Sequence, residues 1–403
     1  MSWKTVRLED ICVSISDGDH QAPPKVNKGI PFITISNIDN LNKIDFSNVM
    51  YVPDNYYDGL DTKRKPQKND ILYSVVGTFG KPVYIDNDDK FVFQRHIAIL
   101  RPNLEKIVPK FLYHIMLSRE FYAQADTLAI GAAQRTISLT ALRKMKVDIP
   151  SLEMQNKITS ILAKYDDLIA NNNKCIKILE KMAENLYQEW FVRFRFPGYE
   201  RAEFVEGVPK GWKRCRLKEF INFNPNYKTE KKQYYTNIPM AALSTNGMYI
   251  NEAEISLEEK SSGTHFRNGD VLFAKITPCL ENGKTGLVTC LKDNEIGVGS
   301  TEFIVMQGAK VSSFFTYCIA KNDLFRQLAI NSMNGADGRQ RADISFIQNI
   351  KWILPDDEIL LKFEHITSAI IKQINILHKQ NQNLIKQRDY LLPRLMSGKV
   401  QVK

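Results

Sequence analysis

No stretch of the 403-residue chain approaches the 18 or more apolar residues that a membrane-spanning helix requires. The opening segment, MSWKTVRLED, has charges where a secretory signal needs an apolar run, so the chain is expected to be cytoplasmic. Cysteine is sparse and unpatterned: Cys12, Cys175, Cys215, Cys279, Cys290 and Cys318 never form C-x-x-C. The six histidines are equally dispersed, without H-E-x-x-H. No metal is expected, and in a reducing compartment the thiols should be free and mostly buried. Nucleotide-binding machinery is missing too. There is no Walker A sequence, and Gly77-Thr-Phe-Gly80 is too short to cradle a nucleotide. It reads as a turn whose backbone N–H groups could meet a phosphate group. No P-D…E-x-K nuclease cluster is present.

What is plentiful is positive charge: 55 Lys and Arg against 45 Asp and Glu, a formal net of +10. Such an excess suits either an acidic partner or a basic, well-solvated surface. Its location sharpens the choice. Residues 151–191 carry five Lys against six acids, and residues 356–403 carry eight Lys and Arg against five acids. Set against the total of +10, these contributions of −1 and +3 leave +8 for the remainder. The length exceeds what one core usually supports, so two or more domains are expected.

The chain repeats itself. Trp3-Lys-Thr-Val-Arg-Leu-Glu returns as Trp212-Lys-Arg-Cys-Arg-Leu-Lys, 209 positions later. KNDILYSVVGTFGKPVYI (68–85) is echoed by RNGDVLFAKITPCLENGKTGLV (267–288), with Asp70 matching Asp270. KVDIP ending at Pro150 matches KWILP ending at Pro355. Residues 1–150 and 199–355 alternate β-branched and aromatic runs with Gly, Pro, Asn and Asp turns, which predicts strand-rich domains. Residues 151–198 and 356–403 have another period. Ile158, Leu162, Tyr165, Ile169, Asn172, Ile176, Leu179, Ala183, Leu186 and Trp190 alternate gaps of four and three, the 3.5-residue repeat of a coiled coil. Phe363, Thr367, Ile370, Ile374, Leu377, Asn381, Leu384, Arg388, Leu391 and Leu395 repeat it less cleanly. The alternative is two amphipathic helices packed on their own domains, for which forty residues is long.

Several segments resemble the specificity subunits of type I restriction–modification systems, and the resemblance covers nearly the whole chain. ISDGDHQAPPK (15–25), GIPFITISNI (29–38) and NDILYSVVGTFGK (69–81) resemble the opening of such a subunit's target recognition domain. LYQEWFVRFRFPGYE (186–200) with GVPKGW (207–212) resembles the join between central helix and second recognition domain, and RDYLLPRLMSGKV (388–400) the family's C-terminal ending. The second half departs more, with ITPCLENGK (276–284) in place of the simple glycine turn and FNPNYKTEK lacking the DGDH element. The resemblance implies an α+β fold. Target recognition domains at 1–150 and 199–355 would alternate with spacer helices at 151–198 and 356–403 that form an antiparallel coiled coil. It also implies the partners: double-stranded DNA read as a split target, two methyltransferase subunits, and restriction subunits in the full complex. The product would be adenine methylation or cleavage carried out by those partners, with no cofactor and no catalytic residue in this chain.

One motif points elsewhere. Asn224-Pro225-Asn226-Tyr227 approaches the D/N-P-P-Y/F loop with which adenine methyltransferases hold a flipped base, and a catalytic methyltransferase with a fused recognition domain is the competing reading. Asn stands where the second proline should be, and no F-x-G-x-G loop for S-adenosylmethionine accompanies it, so the motif reads as a turn. A third reading, a coiled-coil scaffold that binds no DNA, leaves the basic globular parts unexplained.

Candidate DNA contacts are loop residues able to meet phosphates or base edges, Arg and Lys suiting guanine and Gln and Asn suiting adenine. In the first half these are Asp17, His20, Gln21, Lys25, Lys28, Thr78, Lys81, Gln94, Arg95, Gln134 and Arg135. In the second they are Asn224, Lys228, Lys231, Lys232, Lys275, Thr277, Lys284, Arg339, Gln340 and Arg341. The strongest pair is Gln134-Arg135 and Arg339-Gln340-Arg341, since each follows a Gly-Ala at the same place in its repeat. His20 taken alone reads as a structural loop residue.

Overall fold

A computed structural model describes the chain except for residues 1–2, 19, 21–22, 39–41, 78, 132–134, 229–233, 260–261, 336–337, 397–399 and 401–403. It divides into two units, Met1–Ala170 with Asn381–Lys403, and Asn171–Gln380.

Nine strands build the first unit: β1 (Lys4–Arg7), β2 (Cys12–Asp17), β3 (Ile30–Ile33), β4 (Met50–Val52), β5 (Ile71–Ser74), β6 (Pro82–Tyr84), β7 (Val92–Phe93), β8 (Ile97–Pro102) and β9 (Lys146–Ile149). They form a four-stranded sheet in the order β2-β8-β5-β6, a three-stranded sheet β4-β3-β7 and the pair β1-β9. All four residues of β5 are buried, which explains why ILYS shows no polar alternation. Its residues nonetheless face two ways. Ile71 and Tyr73 pack with Phe111 and Leu112 of the helix Pro109–Met116, whereas Leu72 packs with Ile33 and Phe93 of the smaller sheet. The large sheet is thus a middle layer between helices and a second sheet.

The second unit repeats this plan. Its strands are β10 (Phe204–Val205), β11 (Val208–Pro209), β12 (Lys213–Arg216), β13 (Ile221–Phe223), β14 (Tyr235–Ile238), β15 (Ser256–Glu258), β16 (Thr264–Phe266), β17 (Val271–Ala274), β18 (Thr285–Leu287), β19 (Gly297–Gly299), β20 (Phe303–Gly308) and β21 (Lys351–Leu354). The sheets run β13-β20-β17-β18, β15-β14-β19-β16 and β12-β21, with the small hairpin β10-β11 beside them. The correspondence extends to polarity. Pairing is parallel between β3 and β7 and between β14 and β19, while both large sheets are antiparallel throughout. Val271 and Phe273 face Phe314 and Phe315 of the helix Ser313–Lys321, and Leu272 faces Ile238 and Phe266. Strand β16 has no counterpart among the described residues of the first unit. The sequence repeat is therefore a repeat of topology.

The matched aspartates do matching work. Asp70 and Asp270 are each 2% exposed and each accepts the backbone N–H three residues upstream, from Gln67 and Arg267, closing the turn into β5 or β17. Their remaining partners differ. Asp70 takes Arg101 Nε at 3.0 Å and Nη2 at 2.9 Å. Asp270 takes the Tyr227 hydroxyl at 2.8 Å, which in turn accepts from Gln307 Nε2 at 2.8 Å.

Two long helices follow the strand-rich regions, Leu152–Tyr187, which ends in a π-helical turn at Gln188–Val192, and Asp357–Met396. The second is capped by Asp356, whose carboxylate accepts from Ile359 N at 2.9 Å and Trp212 Nε1 at 3.0 Å. Every residue of the two predicted seams is buried or half-buried. In the first unit Ile158 and Leu162 pack in one core with Leu392 and Leu395, and Arg388 Nη1 donates to Asp166 at 3.0 Å. In the second, Ile176 and Ala183 share a core with Ile374 and Leu377, and Trp190 lies 6.0 Å from Phe363. Early residues of one helix meet late residues of the other, so the pairing is antiparallel. The thiols depart from expectation. All six are free, but only Cys318 is fully buried and the other five are half-buried. Burial pushes Cys12 up to about 12 and Cys290 up to about 11, so both stay protonated. Among the described residues no helix is long and apolar enough to cross a membrane, and no group of His, Cys, Asp and Glu could hold a metal ion.

Candidate nucleic-acid interface

In the first unit one end of the four-stranded sheet collects most of the candidates. Strand β2 ends at Asp17, opposite Ala98, and β5 ends at Ser74, opposite Ile97. Lys81 immediately precedes β6, and its N–H donates to Ser74 Oγ at 2.9 Å. Gln94 and Arg95 lie in the turn leading into β8. Gly18 N donates to Ile97 O, and a Cβ on Gly18 would fall 2.2 Å from Phe93 O and 2.4 Å from Gln94 O. Only glycine allows these two loops to touch. Arg135 reaches the same end through the backbone: Gly77 N donates to Arg135 O at 3.1 Å, and Val75 is bonded to both His96 and Ile137. Asp17, His20, Lys81, Gln94, Arg95 and Arg135 are thus gathered at one sheet end. Lys25 and Lys28 are exposed but lie toward the start of β3, where Val26 bridges to Tyr51 of β4.

Several of these side chains already have protein partners. His20 Nε2 is 2.7 Å from Asp17 Oδ2, and Arg64 Nη2 is 3.6 Å from Asp17 Oδ1, so Asp17 binds its own loops. Arg135 pairs with Asp126 at 2.8 Å and lies 5.8 Å over the Phe79 ring, which stacks on Tyr122. Arg95 is exposed.

The second unit gathers its candidates at the equivalent sheet end. Lys275 follows β17, Lys284 precedes β18, and Asn224 follows β13. Thr277 N donates to Gln340 O at 3.1 Å, the counterpart of the bond from Gly77 to Arg135. Arg341 and Asn334 exchange N–H···O bonds of 2.9 and 3.0 Å, as Thr136 and Ile130 do at 2.8 and 2.9 Å. The loop closed this way is one residue longer in the second unit, so Arg135 corresponds to Gln340, and Arg341 to Thr136. The segments Gln134-Arg135 and Arg339-Gln340-Arg341 thus lie at equivalent places, with Arg341 one step past the position of Arg135.

Arg341 is held by Glu302: Nε lies 3.0 and 2.9 Å from Oε1 and Oε2, and Nη2 donates to Oε1 at 2.7 Å. Arg339 and Lys228 are exposed. Lys284 Nζ donates to Met240 O at 3.0 Å and is half-buried. The Thr277 hydroxyl is buried and has no hydrogen-bond partner among the described residues. Gln21, Thr78, Gln134, Lys231 and Lys232 lie outside the described residues.

Asn224 and Tyr227 of the methyltransferase-like motif are spent on structure. Asn224 takes a left-handed backbone, φ 46°, and its Oδ1 accepts from Val305 N at 2.8 Å. The Tyr227 ring is covered by the Arg267 guanidinium at 4.7 Å, where a flipped base would have to stack. Sequence reasoning missed Glu302 and its positional counterpart His96, whose carbonyls accept from Lys275 and Val75 respectively. Aligning QRHIAIL with STEFIVM would have placed both one step before their strands.

Two copies of one strand plan, each with cation-bearing loops at one sheet end and followed by a long helix, define a DNA-specificity protein. The profile of the family described as "Type I restriction modification DNA specificity domain" matches residues 1–181 and again 209–387, and the chain belongs to that family. It is the non-catalytic specificity subunit of a type I restriction–modification system. It is 24% identical over 470 aligned positions to the type I restriction enzyme HindI specificity subunit of Haemophilus influenzae, covering 99% of each chain. It is 25% identical over 311 positions to the MjaIX specificity subunit of Methanocaldococcus jannaschii, covering 73% of this chain and 70% of that one. The crystal structure of a type I restriction–modification S subunit from M. genitalium superposes with a TM-score of 0.54 at 14% identity, over 98% of this chain and 96% of that one.

Proposed function

We propose that the chain reads a split DNA target, one half-site per repeat, and presents it to two methyltransferase subunits for adenine methylation, restriction subunits joining for cleavage. The recognition domains are residues 1–150 and 199–355, the spacer helices residues 151–198 and 356–403, and the complex works in the cytoplasm. The observation that carries this reading is the repeat of loop placement: the same sheet end bears the candidate cations in both units, while the loops themselves have diverged. Similar frames suit two copies of one partner, and diverged loops suit two different base sequences. The chain alone, given S-adenosylmethionine, should transfer no methyl group. Co-expressed with its methyltransferase partner, it should direct methylation to a two-part motif, mapped on the genome. Methyl transfer by the purified chain without a second polypeptide would overturn the reading.

A further inference from the structure

A guanidinium carries five N–H donors in a fixed fork. In Arg341, Nε–H and one hydrogen of Nη2 are given to the Glu302 carboxylate, and Nη1 donates to Arg339 O at 3.2 Å. One N–H on each terminal nitrogen is left without a partner among the described residues. A pair of donors on the two terminal nitrogens suits the O6 and N7 acceptors of guanine in the major groove.

The backbone beneath this fork is fixed. Arg341 exchanges both main-chain bonds with Asn334, and the next residue, Ala342, donates to Lys275 O at 2.9 Å. The side chain is about half exposed, so the fork is open to solvent while its base is pinned. Glu302 is mostly covered and also lies 4.0 Å from Lys275 Nζ. The hydrogen bonds from Arg341 hold its carboxyl below the usual carboxylate range, so it remains a charged brace at neutral pH. A carboxylate at a DNA-facing edge repels phosphates, a cost that a purely electrostatic contact would not carry. In the first unit Thr136 and His96 occupy the corresponding positions.

We infer that Arg341 reads one guanine in the half-site of the second unit, and that Glu302 is the positioning residue that orients its guanidinium. This inference rests on the split-target reading above. The test uses the chain co-expressed with its methyltransferase partner, with methylated adenines mapped and binding measured on duplexes of the wild-type motif. Arg341→Lys keeps the charge and loses the fork. It should relax a single position, a guanine in one half-site only, with a loss of roughly 10- to 100-fold on the cognate duplex. Glu302→Ala should relax the same position while tightening binding to unrelated DNA. Glu302→Gln, which still accepts one N–H, should fall between it and wild type. Replacing that guanine by 7-deazaguanine should weaken wild type and add nothing to the Arg341→Lys loss. An unchanged motif in Arg341→Lys, a relaxed position that is not guanine, or a loss spread evenly over all sequences would overturn the inference alone. A wild-type complex without a two-part motif would overturn the split-target reading together with it.

Discussion

Replacing Arg101 by leucine would leave the Asp70 carboxylate buried without its counter-charge. The aspartate is 2% exposed and would lose two charge-assisted bonds, keeping only the Gln67 N–H at 2.9 Å. Breaking a buried pair from one side costs about 3–5 kcal/mol, because the stranded charge keeps its desolvation penalty. For a unit of this size, each kcal/mol moves the unfolding midpoint by about 2–4 °C, which gives a drop of roughly 6–20 °C. Burial already pushes the Asp70 carboxyl above its usual value despite Arg101, and removing the arginine pushes it further. A folded-state pKa above the unfolded one means that the native state holds the proton longer. Stability therefore falls as pH rises through that window. The Arg101→Leu deficit should be largest at neutral pH and shrink as pH is lowered into the carboxylate range, and Asp70→Asn in the same chain should recover part of it. Hydrogen exchange of the β5 amides, with the β17 amides as internal reference, reads the loss in the first unit alone. A double variant no more stable than Arg101→Leu, or a deficit flat with pH, would refute the reasoning. The same aspartate in the second unit has a neutral partner, so Tyr227→Phe should cost only about 1–3 kcal/mol.

Arg135→Ala should relax discrimination in the half-site read by the first unit alone, by about 1–3 kcal/mol if its guanidinium leaves Asp126 for a base. A uniform loss across all DNA would mark it as a phosphate contact. Gly18→Ala should force β2 and the turn before β8 apart at about 1–3 kcal/mol, seen as faster exchange of amides 92–97, with the second half-site unaffected. Leu377→Asp, at a position 8% exposed in the helix seam, should place an unpaired charge in that core and abolish co-purification of the methyltransferase. Normal co-purification would count against the helices as the docking scaffold.

The long helices were legible because a heptad is local: Ile158 to Trp190 and Phe363 to Leu395 needed only their own spacing to be placed in a seam. The repeat was legible because Asp70 and Asp270 each close the turn that starts a buried strand, and that job tolerates little change in nearby sequence. What stayed hidden is tertiary. Nothing near Glu302 in the sequence says that it will brace Arg341, 39 positions away. The one-residue difference between the loop before Thr136 and the loop before Arg341 is visible only once the closing bonds are known. Strand β16 was likewise unmarked, because THF is too short to show any period.

The reciprocal bonds between Ile130 and Thr136, and between Asn334 and Arg341, act as clasps on a pouch. Just inside the clasps, Arg135 and Gln340 accept from Gly77 and Thr277, so each pouch is pinned at its closing side while its length differs by one residue between the repeats. A lineage could therefore exchange the contents of one pouch by short recombination, pick up a new half-site, and leave strand order, helix seam and the other half-site intact. New targets would then arise by splicing a few codons, with the folding of the whole chain scarcely put at risk.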